Sequence, residues 1–207
     1  MKEVNNDLQN IQLKLPVKIK YNALERSLKK KMVGEVIKDE DKDGDVSHYA
    51  EILDIGLRYS LENEFDLAIS VNFKTLTTLF HGKKMQVILY ASLYLDREQQ
   101  IISIEDYKVQ GKTSNFLTNG FIQTLVNTLL YKKIKEKMSF NFLPVIEEQL
   151  LALNEKLLKN MEVARGVSVS GYLKEFTIDE IVPVEEELVL SILIKGLAFV
   201  NIEELPD

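Results

Sequence analysis

The chain has 207 residues, of which 45% are hydrophobic and 28% charged, the composition of an ordinary globular domain. Its net charge of −6 argues against general nucleic-acid binding, and the absence of cysteine excludes disulfides, zinc–thiolate sites and thiol nucleophiles. We therefore predict a single domain over residues 1–207. The sequence begins without an apolar signal segment and has no apolar run near about 18 residues. It predicts a cytoplasmic protein as it stands, or a periplasmic one if a leader has been removed.

The first strand and helix are clear from their periodicity. Residues 11–21 alternate between apolar and polar side chains, which predicts a strand with one face in water. Pro16 lacks an N–H, so this strand should lie at a sheet edge or be interrupted there. Asn22 then predicts a helix cap, and Gly34 a helix end. The apolar positions of that helix are Leu24, Leu28 and Met32, with Val33 beside them.

Four further strands should follow a charged loop at residues 38–45. Two alternating runs, 53–61 and 65–73, are joined by a short polar link, which predicts a hairpin. Residues 85–95 are apolar on both parities, as in a strand buried on both faces, and residues 101–109 would supply its hairpin partner.

Helical spacing returns in the second half of the chain. Residues 116–137 have a wide apolar arc and predict one long helix, and a second helix should run from about Val145 to Asn160. The predicted order is β-α-ββββ-α-α-βββ, and strands without crossover helices imply antiparallel pairing, hence the α+β class. Two or three strands finish the chain, over 167–173, 176–182 and 188–200.

Catalytic groups are scarce in the sequence. The two histidines, His48 and His81, fall at loop or strand edges. The segment 166–171, Gly-Val-Ser-Val-Ser-Gly, misses the nucleophile-elbow pattern because Ser170 stands where the second glycine belongs, and it precedes a strand. We therefore predict that the protein is not an enzyme, with no catalytic residue and no cofactor.

An acidic segment resembles part of a calcium-binding loop. Residues 39–46 match the first eight positions of an EF-hand loop, with Gly44 at the turn. The twelfth position holds Ala50 instead of a bidentate glutamate, and Glu51 comes one residue late. We interpret the segment as a solvated loop and predict no metal site, with adventitious Ca²⁺ binding as the alternative.

Two lysine-rich runs, 29–31 and 132–137, close predicted helices. Positive charge at a helix C-terminus complements the helix dipole and needs no further function. The alternative interpretation is peripheral contact with an anionic membrane surface.

Two segments resemble a known superfamily. Residues 15–25 read LPVKIKYNALE, a strand running into a helix. The later run has a helix, Leu143-Pro144, a second helix, the segment 166–171 and a closing hairpin that ends with LIKGLA at 193–198. Together they resemble the tubular lipid-binding (TULIP) superfamily of bactericidal/permeability-increasing-type proteins, in particular a bacterial domain-of-unknown-function branch.

The resemblance implies a long amphipathic helix wrapped by a strongly curved antiparallel sheet around a lengthwise apolar tunnel. It supplies no catalytic residue, and because many relatives carry two modules, this single module implies a homodimer. We expect non-catalytic binding or transport of a lipid, fatty acid or similar hydrophobic ligand. The alternative is a ligand-free protein-interaction or scaffold module that uses the edge of strand 11–21 for β-augmentation. The predicted tunnel lining consists of Leu57, Phe65, Ile69, Leu89, Phe121, Leu125, Leu129, Ile192 and Ile194.

Overall fold

The computed structural model describes residues 10–40, 42–78, 82–111, 123 and 125–204, and within these ranges the chain forms ten strands and three α-helices. The helices are α1 Tyr21–Met32, α2 Tyr131–Lys137 and α3 Leu143–Leu157, and a π-helical segment, Leu125–Leu130, leads directly into α2. The strands are β1 Asn10–Lys20, β2 Val36–Glu40, β3 Val46–Tyr59, β4 Leu67–Thr75, β5 Lys84–Asp96, β6 Ile101–Gly111, β7 Phe140–Asn141, β8 Met161–Ala164, β9 Val167–Pro183 and β10 Glu187–Ile202.

The strands divide between two curled antiparallel sheets. Sheet A has the order β1-β10-β9-β8, and sheet B has the order β2-β3-β4-β5-β6-β7. All of these neighbours pair antiparallel, which confirms the predicted α+β class. One hydrophobic core joins the sheets, because side chains such as Leu190 and Ile192 of sheet A share a buried cluster with Val71 and Leu89 of sheet B.

The long amphipathic helix predicted over residues 116–137 is wrong. In the part of that range that the structure describes, the helical stretch consists of the π-helical segment and the two-turn helix α2. The buried positions are compatible with the change of pitch, although Val126, four residues before Leu130, is buried too. Leu125 and Leu130 are five residues apart, the spacing of a π-helix, whereas Leu130, Ile134 and Met138 are four apart, as in an α-helix.

Several predicted strands are confirmed, beginning with β1. It lies at the edge of sheet A, as Pro16 predicted, and pairs along its whole length with β10. Leu13 and Leu15 of this edge strand are 52% and 42% exposed. The use of this edge to bind a strand of another protein stays a prediction. The hairpins β3–β4 and β5–β6 are also confirmed.

β-Bulges explain why β3 begins before its predicted start and why β9 was predicted as two strands. The pairing of β3 with β4 shifts between Ile52 and Asp54, so Ile52 and Ile55 are both buried although their parity differs. β9 is one strand where two were predicted, because register shifts at two places against β10 let it bend without ending.

Three strands were not predicted. β2 lies partly in the expected charged loop, while β7 and β8 have two and four residues, too few for alternation to show. The second predicted helix is confirmed as α3. The observed order of elements is therefore β-α-βββββ-α-β-α-βββ.

Helix α1 packs on β3 through its apolar side and one carboxylate. Leu24, Leu28 and Met32 are buried, as their spacing predicted. Glu25 Oε2 accepts a hydrogen bond of 3.0 Å from the Leu57 N–H, and its other oxygen lies 3.0 Å from the Lys29 ammonium. Glu25 therefore lies at the solvent-facing edge of the buried contact between α1 and β3, and its hydrogen bond to Leu57 fixes the position of the helix along the strand.

The tip of the β5–β6 hairpin connects the two sheets. Gln100 is buried in the turn with a φ of +57°, and its side-chain oxygen accepts the N–H of Ile178 in β9. Beside it, Asp179 forms ion pairs with Lys14 of β1 at 3.0 Å and with Arg97 of the turn at 3.5 Å. These contacts hold sheet B against β9.

Tyr21 should make the stability of the fold sensitive to alkaline pH. Burial, followed by the charges of ionised Tyr59 and of Asp66, raises the pKa of Tyr21 to about 12. Because the folded-state pKa lies above the ordinary value near 10, the stabilisation is complete below pH 10 and is lost as the pH rises towards 12. We expect a loss of about 2 kcal/mol over this interval.

Chemical denaturation at a series of alkaline pH values would measure this loss. A Tyr21→Phe variant, which keeps the ring and removes the ionisable group, should show a smaller decline than the wild type. Identical declines in both proteins would contradict the assignment to Tyr21.

Candidate ligand groove between α3 and β9

The edge of β9 is available to α3 because its neighbour on that side is short. β8 pairs only with residues 167–169 of β9, which leaves the edge beyond them without a strand neighbour. Asn154 of α3 covers this edge: its Nδ2 donates to the Leu173 carbonyl at 2.9 Å, and its Oδ1 accepts from the Leu173 N–H at 2.7 Å. The side-chain amide therefore makes the two hydrogen bonds that a neighbouring peptide group would make.

The local sequence places α3 at this position. Pro144 lies in the first turn of the helix, where its missing N–H costs nothing, and Asn141 Oδ1 accepts the N–H of Leu143 at 3.1 Å. At the far end of the helix, Leu157 is buried and anchors the last turn. α3 is thus fixed at both ends and at Asn154.

An open groove of about 280 Å³ lies between α3 and β9. Its floor is apolar, and its rim carries both signs of charge. Leu151 illustrates the arrangement, because 66% of this side chain is exposed although it sits beside the apolar floor. The residues that line the groove are Glu147, Leu150, Leu151, Asn154, Leu173, Lys174, Glu175 and Phe176.

Exposed apolar side chains continue from the groove along the same end of sheet A. Direct pairing places Val200 opposite Val169, and Val169 opposite Met161, so these side chains share one face of the sheet. A contiguous exposed apolar surface is typical of a binding surface. The exposed apolar residues on this face are Val200 and Ile202 of β10, and α3 and its end add Leu151, Leu153 and Leu158. Tyr172 and Phe199 are also exposed, but they lie on the opposite face of the sheet.

The structure brings together most of the predicted tunnel-lining residues, and it does so in the core. Their role as a wall for a ligand stays a prediction. Leu129 is half-buried and packs against the same cluster. The buried members are Leu57, Ile69, Leu89, Leu125, Ile192 and Ile194.

Two predicted lining residues stand apart. Phe65 precedes β4 and is absent from the core cluster, and its ring centroid lies 6.2 Å from that of Tyr90. Tyr90 pairs with Ala68, on the face of β4 opposite to Ile69, so Phe65 belongs to that other face. Phe121 lies outside the described residues.

The sequence contains a sign of the groove, a second row of apolar residues on α3, but core packing accounts for such a row equally well. Leu151 and Leu158 form a second apolar row on α3 beside the row of Leu150 and Leu157. With this second row, the apolar surface of α3 is wider than a single packing contact requires, which indicates a further apolar contact. The partner residues Leu173 and Phe176 straddle a bulge in β9, so their common side could not be read from alternation.

The candidate chemical groups are placed as follows. His48 lies exposed in β3, and His81 is outside the described residues. Segment 166–171 forms the turn before β9 and the first residues of β9, ahead of Leu173, where α3 contacts the strand. Ser170 Oγ accepts a hydrogen bond of 3.3 Å from Asn201 Nδ2. Within the described ranges, no three His, Asp or Glu side chains converge in a way that could hold a metal ion.

No helix among the described residues has the length and apolarity to cross a membrane.

Comparison with known protein families assigns the chain to one of them. The profile of the domain of unknown function DUF4403 matches residues 1–202. The chain belongs to the DUF4403 family. Searches of curated proteins and of solved structures found no match. The DUF4403 match spans both sheets, α3 and the groove, so these features lie within the family's domain.

Proposed function

We propose that this DUF4403 domain is a non-catalytic binder or carrier of a lipid, fatty acid or similar hydrophobic molecule. The observation that carries the proposal is the open apolar groove between α3 and β9, which is continuous with exposed apolar side chains at the same end of sheet A. Ligand pockets in proteins are mostly apolar with a few polar groups at the rim, and this groove has that composition.

The size and apolar floor of the groove favour an acyl chain. A volume of about 280 Å³ is at the small end of ligand pockets, so it would hold part of a chain. Leu150, Leu173 and Phe176 would contact the methylenes. At the rim, Glu175 is paired with Lys195 at 3.5 Å, and Lys174 would pair with a carboxylate or phosphate at a distance from Glu147. Each methylene removed from water contributes about 0.8 kcal/mol.

The curled antiparallel sheets and the apolar groove support the resemblance to the TULIP superfamily, and we propose that DUF4403 is a divergent branch of it. The short helices depart from the long central helix that the resemblance implied. In this proposal, α3 and β9 supply the apolar wall of the ligand site.

A series of saturated fatty acids of increasing length tests the proposal by isothermal titration calorimetry. We expect affinity to rise about fourfold per methylene until the groove is filled, which follows from about 0.8 kcal/mol per methylene. Native mass spectrometry of the purified protein, followed by organic extraction, would identify a ligand retained from the cell and report a homodimer.

A pair of leucine variants tests the location of the site. Leu151→Ser should weaken fatty-acid binding about tenfold, because a leucine contact with the chain is worth about 1.5 kcal/mol. Leu61→Ser is the matched control, since Leu61 is 82% exposed and lies in the β3–β4 turn, away from the groove. Equal losses in both variants, or no binding of fatty acids or phospholipids by the wild type, would refute the proposal.

A further inference from the structure

Seven lysines are concentrated on two helices that touch each other. The C-terminal half of α1 and the helix α2 are in contact, and a surplus of positive charge collects there although the whole chain has a net charge of −6. Glu136 is the acidic residue within α2. We call this surface the basic face; it consists of Lys29, Lys30, Lys31, Lys132, Lys133, Lys135 and Lys137.

Two of these lysines are neutralised by carboxylates. Lys29 forms ion pairs of 3.0 Å with both Glu25 and Asp54, and Lys133 forms one of 2.5 Å with Glu35. The Lys133 ammonium is the main cause that holds the pKa of Glu35 below its usual range. In the part of the chain that the structure describes, the other five lysines of the basic face form no ion pair. Lys137 lies close enough to Glu35 to help lower the pKa of that carboxyl, so the charges open to a partner are those of Lys30, Lys31, Lys132 and Lys135.

Apolar and aromatic groups accompany the lysines. The Lys31 ammonium lies 5.4 Å from the Phe140 ring centroid, and the Lys135 ammonium lies 5.9 Å from the ring of Tyr131. Val33, at the end of α1, is 44% exposed. Rings and aliphatic groups beneath lysines suit the interface of a bilayer, where charges meet head groups and rings sit below them. A soluble polyanion would use the charges alone.

We propose that the basic face docks the protein on the surface of an anionic phospholipid bilayer. Charge complementarity carries the proposal: four exposed, unpaired lysines on two adjoining helices meet a negative surface potential, and each contributes roughly fivefold in affinity. The docking does not depend on what the groove binds. In a carrier, it would bring the domain to its source or acceptor membrane.

The test is sedimentation with phosphatidylcholine vesicles that either contain or lack phosphatidylglycerol. The wild type should bind the anionic vesicles and not the neutral ones, and added salt should weaken binding because the charges are at the surface. A variant with Lys30→Gln, Lys31→Gln, Lys132→Gln and Lys135→Gln should bind at least tenfold more weakly. All four side chains are exposed, so the fold should be retained, as thermal unfolding would show.

The matched control changes the same number of exposed lysines elsewhere: Lys20→Gln, Lys84→Gln, Lys156→Gln and Lys159→Gln. It should bind anionic vesicles as the wild type does. Equal weakening in both variants would show that net charge alone matters and would overturn the proposal. So would binding to duplex DNA or heparin without binding to anionic vesicles. Fatty-acid binding in solution should be unchanged in the lysine variants, so failure here is distinct from failure of the groove.

Discussion

The Gly171→Ala variant should lose about 3 to 4 kcal/mol of unfolding free energy, because strain and a backbone clash act together. Gly171 has a φ of +145°, in the region that L-amino acids rarely adopt. A Cβ at this position would collide with the Leu197 carbonyl oxygen and lie 2.8 Å from Ala198 Cα. Both neighbours are backbone atoms of β10, so they could move aside only if the β9–β10 pairing opened.

A Gly34→Ala variant would separate the effect of backbone strain from the effect of the clash. Gly34 follows α1 with a φ of +84°, and a Cβ there would meet no described atom within 4 Å. This variant should lose only about 1 kcal/mol, the cost of the backbone conformation alone. Urea unfolding followed by circular dichroism would measure both. Equal losses in the two variants would contradict the close approach of β9 and β10 at Gly171.

Leu28→Ala should be the second large effect, at about 3 kcal/mol. Leu28 is 1% exposed and lies at the centre of the buried side of α1, between Leu24 and Met32. Truncation removes buried methyl groups and leaves a cavity against β3 that the surrounding strands cannot fill without shifting.

Arg26→Ala is the control for this position. Arg26 is exposed on the same helix, and arginine and alanine are both good helix formers, so we expect a change within about 0.5 kcal/mol. The same denaturation experiment compares the two. A small effect of Leu28→Ala would mean that α1 is not packed on β3 as the structure shows.

Alternation predicted the strands where they are long and regular. In β4, Leu67, Ile69, Val71 and Phe73 are buried in turn, as a period of two requires. The same reasoning missed the first half of β3 and divided β9 into two strands, because a bulge shifts the parity of the strand and cannot be seen in its composition. The helix α1 was predicted with its buried positions, although its N-cap is Lys20, without a side-chain cap, and not Asn22.

The groove could be predicted less well than the strands. Its two sides come from α3 and β9, and which face of α3 meets β9 depends on tertiary contacts such as the Asn154 pair with Leu173. A side-chain amide that replaces a strand neighbour has no sequence signature, since asparagine serves many other purposes in helices and turns. The π-helical turn was likewise hidden, because the apolar spacing at Leu125 and Leu130 fits a broad α-helical arc as well.

The pairing of β1 with β10 has a consequence for how the protein forms. Asn10 is opposite Leu197 and Lys20 is opposite Glu187, so these contacts join residues far apart along the chain. During synthesis, β1 leaves the ribosome long before its partner exists, while the local hairpins of sheet B can already close. Folding should therefore end with a slow step that completes sheet A, in the millisecond-to-second range typical of non-local β pairing.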